Sequence, residues 1–69
     1  MTREDIITFC SMLGSQASTT GKPREIGMDE GFREFVNATV DQNDLLLRLE
    51  TANAWFAGYD EGWPEKTNG

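Results

Sequence analysis

The sequence contains no histidine and only one cysteine, Cys10. A single cysteine cannot form a disulfide within the chain, and without histidine it cannot form a zinc site. A catalytic thiol needs a neighbouring base, whereas Cys10 falls on the apolar face of its predicted helix, which indicates a buried and unreactive thiol. We therefore expect a protein that is not an enzyme and that holds no metal and no cofactor.

Long apolar runs are also missing. No stretch approaches the roughly 18 apolar residues of a membrane span, and the first residues lack the apolar segment of a secretory signal. We expect a cytoplasmic protein with no membrane partner, in which Cys10 stays reduced.

The 69 residues are enough for one domain with a small core. Chains of this size usually need a disulfide, a metal or a partner subunit for stability. Because the composition excludes the first two, a homodimer or higher oligomer is expected, and a few well-packed helices are the alternative. We assign residues 1–69 to a single helical domain in which residues 65–69 fray.

Apolar spacing predicts an all-α fold with three helices. A first helix over residues 3–16 is indicated by residues that step by four, three and four along one helix face: Ile6, Cys10, Leu13 and Ala17. Pro23 and two glycines then interrupt the pattern, so residues 18–28 are predicted to form a loop.

Capping residues mark the beginnings of the other two helices. Asp29 is a suitable cap for a second helix over residues 29–40. The polar stretch 41–44 follows, and Asp41 or Asn43 is expected to cap a third helix over residues 43–62. One bent helix across this stretch is the alternative.

The third helix is predicted to be the longest, and it carries a heptad-like seam over nearly three heptads. The seam residues are Leu45, Leu49, Ala52, Phe56, Tyr59 and Trp63, with Trp55 on one flank. These residues either pack against the first two helices or form part of an oligomer interface, where aromatic side chains are enriched.

The net charge of −6 lies entirely in residues 28–69, which hold three basic and nine acidic residues. Such a field repels nucleic acid and favours a basic protein partner. The predicted acidic face consists of Asp29, Glu30, Glu34, Asp41, Asp44, Asp60 and Glu61. The alternative is a solvated acidic surface that maintains solubility.

A small basic patch precedes this region. It combines hydroxyl and cationic side chains that suit a small anion: Thr19, Thr20, Lys22 and Arg24. The patch does not have the spacing of a phosphate-binding loop, because Gln16 stands where such a loop has its first glycine.

The segment Arg48-Leu49-Glu50-Thr51-Ala52-Asn53-Ala54-Trp55 resembles a family signature. It is similar to the last helix of the phage helical-hairpin domain in anti-CBASS and anti-Thoeris sponges, which has a basic residue followed by Leu-Glu-x-Ala-x-x-Trp. The resemblance implies a phage origin, an oligomeric helical protein and sequestration of cyclic-nucleotide immune signals. The Ser and Thr that precede the signature in that family are absent here, so no ligand residue is carried over.

Small size, one-sided acidity and clustered aromatics together favour a non-enzymatic binding protein. The first hypothesis is a phage-type inhibitor of a host defence system, similar in type to anti-CRISPR proteins, that acts on a basic protein surface in the host cytoplasm. The second is an oligomeric sponge for cyclic-nucleotide signals. The third is a structural or assembly module.

Overall fold

The computed structural model describes residues 1–62, and within that range it contains helices and no β-strand. Helix α1 spans Arg3–Thr19, α2 spans Glu30–Thr39 and α3 spans Leu45–Glu61, and a short 3-10 helix, Ile26–Met28, precedes α2. The prediction of an all-α fold with three helices is confirmed. Trp63 and the tail 65–69 lie outside the described residues.

Helix α1 is longer than predicted at its C-terminal end. It begins with a capping box in which the Thr2 hydroxyl accepts a hydrogen bond from the Asp5 amide. It ends after residue 19 because Gly21 adopts a φ of 79°. The amide of Lys22 then bonds to the carbonyl of Ala17, and the amide of Gly21 bonds to that of Ser18, which completes a Schellman motif.

Aspartates begin both of the other helices. The Asp29 side chain accepts a hydrogen bond from the Phe32 amide, which confirms the predicted cap of α2. Helix α3 is capped by Asp44, which accepts from the Leu47 amide, and not by Asp41 or Asn43 as predicted. The Asp41 side chain instead accepts from the Asn43 amide in the connecting turn, so the second and third helices are separate and the bent-helix alternative is wrong.

Helices α1 and α3 pack parallel to each other at close range. Arg3 pairs with Glu50 near the beginning of both helices. Further along, a Cβ atom added at Gly58 would overlap with the carbonyl of Ser11, and one added at Gly14 would overlap with that of Trp55. The two backbones therefore approach each other more closely than larger side chains allow.

Helix α2 runs antiparallel to α3 and covers the groove beside it. Asp29, at the beginning of α2, contacts Trp55, whereas Asn37 near its end accepts a hydrogen bond from Arg48, one turn into α3. Phe35 of α2 also packs on Phe9 of α1, with ring centroids 4.4 Å apart. Trp55 is fully buried where the three helices meet.

The buried face of α3 differs from the predicted core seam. The buried residues are Leu47, Thr51, Trp55, Gly58 and Tyr59. Within the single chain Leu45 and Leu49 point to solvent, and Ala52 and Phe56 are half-buried, so only the C-terminal part of the seam reaches the core. The reason is that α1 packs against the glycine side of α3, where the backbones can meet.

Candidate protein-binding surfaces

The centre of the molecule is a buried hydrogen bond between Trp55 and Asp29. The indole nitrogen Nε1 of Trp55 donates to Oδ2 of Asp29 at 2.8 Å, while Oδ1 of the same carboxylate accepts from the Phe32 amide at 3.0 Å. Both oxygens are thus engaged within the fold, and Asp29 is buried. This residue of the predicted acidic face has a structural position and cannot meet a partner.

Side-chain contacts hold the segment that connects α1 to α2 against the C-terminal half of α3. Arg24 makes a two-pronged ion pair with Asp60, at 2.9 and 3.0 Å, and lies over the ring of Phe56 at 4.7 Å. The hydroxyl of Tyr59 donates to the carbonyl oxygen of Lys22. These contacts hold the connection against α3, and the ion pair raises the pKa of Arg24.

The predicted anion patch is largely occupied by these and other internal contacts. The hydroxyls of Thr19 and Thr20 both donate to the carbonyl of Gln16 in the last turn of α1. Arg24 faces a carboxylate rather than solvent anions. The geometry therefore gives the anion-binding prediction no support beyond the exposed side chain of Lys22.

The seven residues of the predicted acidic face do not share one surface. Asp29 and Asp44 are helix caps, and Asp60 is paired with Arg24. Asp44 and Glu61 stand at opposite ends of α3, about 25 Å apart along a 17-residue helix. The remaining members, Glu30, Glu34 and Asp41, are exposed along and just after α2.

Glu30 and Glu34 form the part of this set best placed to bind a partner. They lie one turn apart on the outer side of α2, and neither makes an ion pair with any residue in 1–62. Met28, immediately before α2, is 66% exposed and adds an apolar contact at the same end. We call Glu30, Glu34 and Met28 the α2 surface.

A second surface lies at the beginning of α3, on the side away from α1. Leu45, Leu46 and Leu49 are 74%, 62% and 58% exposed. We call these three residues the leucine patch. Exposed leucines that stand singly are ordinary, but three that adjoin on one helix face indicate a contact surface.

A small cleft opens beneath the connecting segment. Its volume is about 220 Å³, and it is lined by Ala17, Lys22, Pro23, Glu25, Met28, Asp29 and Trp55. Ligand pockets for drug-sized molecules usually measure about 300–1,000 Å³. The cleft is therefore too small in the single chain for a whole cyclic dinucleotide.

Cys10 has the character that its sequence position indicated. The side chain is fully buried, and burial raises the pKa of its thiol to about 11. A thiol with such a pKa is protonated near neutral pH and is a poor nucleophile. No group of three or more Cys, Asp or Glu side chains within residues 1–62 is arranged to hold a metal ion.

Comparisons with known proteins give no relative. No protein-family model matches the sequence, and neither a curated protein nor a solved structure matches the chain. The resemblance of residues 48–55 to the phage sponge domain therefore stays a prediction. None of the helices in residues 1–62 combines the length and hydropathy of a membrane span.

Sequence reasoning missed two contacts that join distant parts of the chain. The Trp55–Asp29 bond joins residues 26 positions apart, and the Arg24–Asp60 pair joins residues 36 apart. No local pattern encodes such pairs. The close approach of α1 and α3 had a usable signal, because Ser11, Gly14, Ser15 and Ser18 place small residues on one helix face.

Proposed function

We propose that this chain is a small, non-enzymatic acidic binding protein, and specifically a phage-type inhibitor that covers a basic site on a host defence protein. The observation that carries the proposal is the pair of exposed carboxylates of Glu30 and Glu34, which have no cationic partner within residues 1–62. The formal charge of −6 supports a protein partner rather than nucleic acid, whose phosphates it repels.

Charge at this surface serves recognition more than affinity. An exposed ion pair contributes only about 0–1 kcal/mol, so two carboxylates cannot hold a partner alone. They accelerate and orient the encounter, while apolar contact supplies the larger share of the binding free energy. Met28 provides such a contact next to Glu30, and it is 66% exposed.

The proposal is tested by affinity capture from host lysate at about 0.05 and 0.5 M salt. An acidic inhibitor should capture a basic protein at low salt and lose most of it at high salt, because the screening length falls below about 10 Å above 0.1 M. A captured protein that is retained equally at both concentrations contradicts an electrostatic mode of binding.

A matched pair of variants locates the surface. Glu30→Gln/Glu34→Gln and Glu4→Gln/Glu61→Gln each remove two exposed carboxylates, so each changes the formal charge from −6 to −4. We expect the first variant to weaken partner binding about three- to tenfold and the second to have a much smaller effect. Equal weakening would mean that overall charge, and not the α2 surface, determines binding.

A sponge for cyclic-nucleotide signals is the second candidate, and the cleft beside Lys22 favours it. This cleft of about 220 Å³ offers an apolar wall that includes Met28, together with one cation, Lys22, and two carboxylates, those of Glu25 and Asp29. The Asp29 carboxylate is already hydrogen-bonded within the fold. It accommodates a single base at most, so a sponge needs a second copy of the chain to complete its site. A panel of cyclic di- and trinucleotides should then raise the melting temperature, and a flat response excludes this candidate.

The third candidate function, an assembly module, predicts a different result in both experiments. It should show neither salt-sensitive capture of a basic protein nor a thermal response to nucleotides. Its partner should instead be retained at both salt concentrations, since an apolar contact is little affected by screening.

A further inference from the structure

We propose that the leucine patch is the contact surface of a homodimer, in which α3 of one copy packs against α3 of a second copy. This inference goes beyond the proposed function and does not depend on it. The sequence has five leucines, and three of them, Leu45, Leu46 and Leu49, are more than half exposed in the single chain. A 69-residue domain gains much of its stability from apolar burial. Leucines that are mostly exposed to water therefore indicate a surface that another molecule covers.

The distribution of charge indicates that the molecule bound at the leucine patch is a second copy of this chain. Each chain carries −6, so two copies repel each other wherever acidic residues face each other. The exposed side of α3 over residues 45–53 consists of Leu45, Leu46, Leu49, Ala52 and Asn53, none of which is ionised, while Phe56, further along, lies beneath Arg24 of the Arg24–Asp60 ion pair. A basic partner gains no electrostatic attraction at this neutral face, whereas a like-charged copy meets its least repulsion there.

The spacing of the face also suits self-complementary packing. Leu45, Leu49 and Ala52 step by four and three, which is the pattern that lets side chains of two identical helices interdigitate. In a symmetric dimer the same patch must serve both partners. Leu45 and Leu49 are large and Ala52 is small, so each copy offers both protrusions and a gap.

The helices of the two copies are inferred to run antiparallel, with the symmetry axis near Leu49. A parallel pair would bring the Asp60 and Glu61 carboxylates of both copies to the same end. An antiparallel pair places them at opposite ends and opposes the two helix dipoles favourably. Leu49 then faces its symmetry mate, and the two Leu45 residues lie about 12 Å apart along the helix axis.

Exposed area predicts a weak dimer. A leucine contributes roughly 60–120 Å² of apolar area on full burial, so the patch supplies roughly 200 Å² per copy. A standard stable interface buries about 800 Å² per partner. Even with Ala52 and Asn53 included the interface is small, and after the cost of association we expect a dissociation constant of about 50 μM to 1 mM.

Sedimentation equilibrium of the purified full chain over about 1 μM to 1 mM tests the dimer directly. The mass should rise from that of one chain, 7.7 kDa, towards twice that value. Leu49→Asp should raise the dissociation constant at least about tenfold while its far-ultraviolet circular dichroism stays unchanged, since Leu49 is 58% exposed. A single-chain mass throughout this range for the wild type overturns the proposal.

The matched control is Met12→Asp on α1. Met12 is 53% exposed, so this variant introduces the same charge at a similar exposure away from the leucine patch. Its self-association should equal that of the wild type to within about twofold. A Met12→Asp protein that dissociates as readily as Leu49→Asp would show that added charge alone drives the copies apart, and it would overturn the assigned surface.

Cysteine cross-linking tests the arrangement of the copies. Cys10 is fully buried, so a thiol introduced on α3 is the reactive one. A disulfide needs Cα atoms about 4.4–6.8 Å apart. Under mild oxidation Leu49→Cys should therefore give a covalent dimer and Leu45→Cys should not. A covalent dimer through Leu45→Cys, alone or together with one through Leu49→Cys, overturns the antiparallel arrangement.

Discussion

At the scale of single residues, Asp29 is the only acidic side chain in residues 1–62 that is buried. One of its oxygens caps α2, and the other accepts the indole N–H of Trp55. Asp29→Ala should therefore remove a helix cap, worth about 1 kcal/mol, and leave a buried donor without an acceptor, at a further cost of about 1–3 kcal/mol. We expect a total loss of about 2–4 kcal/mol in the free energy of unfolding, measured with urea.

The control for this prediction is Asp44→Ala. Asp44 also caps a helix, through the Leu47 amide, but makes no bond to a buried indole. It should lose only the capping term of about 1 kcal/mol. Equal losses in the two variants would show that the Trp55 hydrogen bond adds nothing to stability.

A second prediction at this scale concerns Cys10 and alkaline pH. Burial raises the pKa of this thiol from its ordinary value of 9.0 to about 11 in the folded chain. Above pH 9 the unfolded chain loses the thiol proton while the folded chain keeps it, so stability is lost as pH rises from 9 to 11. Between about pH 8 and 10.5 the wild type should lose about 2 kcal/mol through this thiol alone.

Cys10→Ala isolates that contribution, because it removes the thiol and leaves the other groups that titrate at alkaline pH. At pH 8 the variant should be less stable than the wild type by about 1 kcal/mol, owing to the lost side-chain volume. The difference should shrink or reverse by pH 10.5, as followed by urea unfolding. A constant difference at both pH values would contradict the raised pKa.

At the scale of helices, the contact between α1 and α3 depends on glycine where the two backbones meet. A Cβ at Gly58 would overlap with the Ser11 carbonyl, whereas one at Gly31, in the first turn of α2, would meet nothing closer than 3.5 Å. Helix propensity favours alanine over glycine at both positions. The structure therefore predicts opposite signs for the same substitution.

Gly58→Ala should lower the free energy of unfolding by about 2–3 kcal/mol, since it forces the two helices apart. Gly31→Ala should raise it by about 0.5 kcal/mol through helix propensity. Thermal or urea unfolding of the two variants checks both signs. Stabilisation by Gly58→Ala would mean that α1 and α3 do not pack as closely as described.

The same contact explains which features of the helices could be predicted from sequence. Three helices, the break between the last two, and the Asp29 cap all follow from local signals, namely apolar spacing and capping residues. The buried face of α3 does not, because Leu45, Leu46, Leu47 and Leu49 distribute apolar side chains around most of the helix. Gly58 selects the side that α1 covers, and this is a matter of tertiary packing.

The candidate surfaces show a similar division. Leu45 and Leu49 of the patch and the carboxylates of Glu30 and Glu34 were among the residues that the sequence singled out. Their exposure could not be read from the sequence, nor could the internal roles of Asp44 and Asp60. The neighbouring residues in the sequence do not distinguish a free surface carboxylate from one that caps a helix or pairs with Arg24.

At the scale of the whole molecule, two opposing effects determine whether copies associate. The formal charge of −6 on each chain disfavours contact, while three exposed leucines per copy favour it. The charge term acts over about 10 Å at 0.1 M salt and weakens as salt rises, whereas apolar contact does not. Self-association should therefore strengthen with salt, in contrast to binding of a basic partner, which should weaken.

This contrast gives a thermal prediction. Because a dimer stabilises the folded state by mass action, the melting temperature should rise with protein concentration. A tenfold excess over the dissociation constant contributes about 1 kcal/mol per chain, which corresponds to roughly 4–8 °C for a domain of this size. The rise should be larger at about 0.5 M than at 0.05 M salt, absent in Leu49→Asp, and retained in Met12→Asp. Scanning calorimetry over a range of protein concentrations measures it, and a melting temperature independent of concentration at both salts would show that the chain folds and unfolds alone.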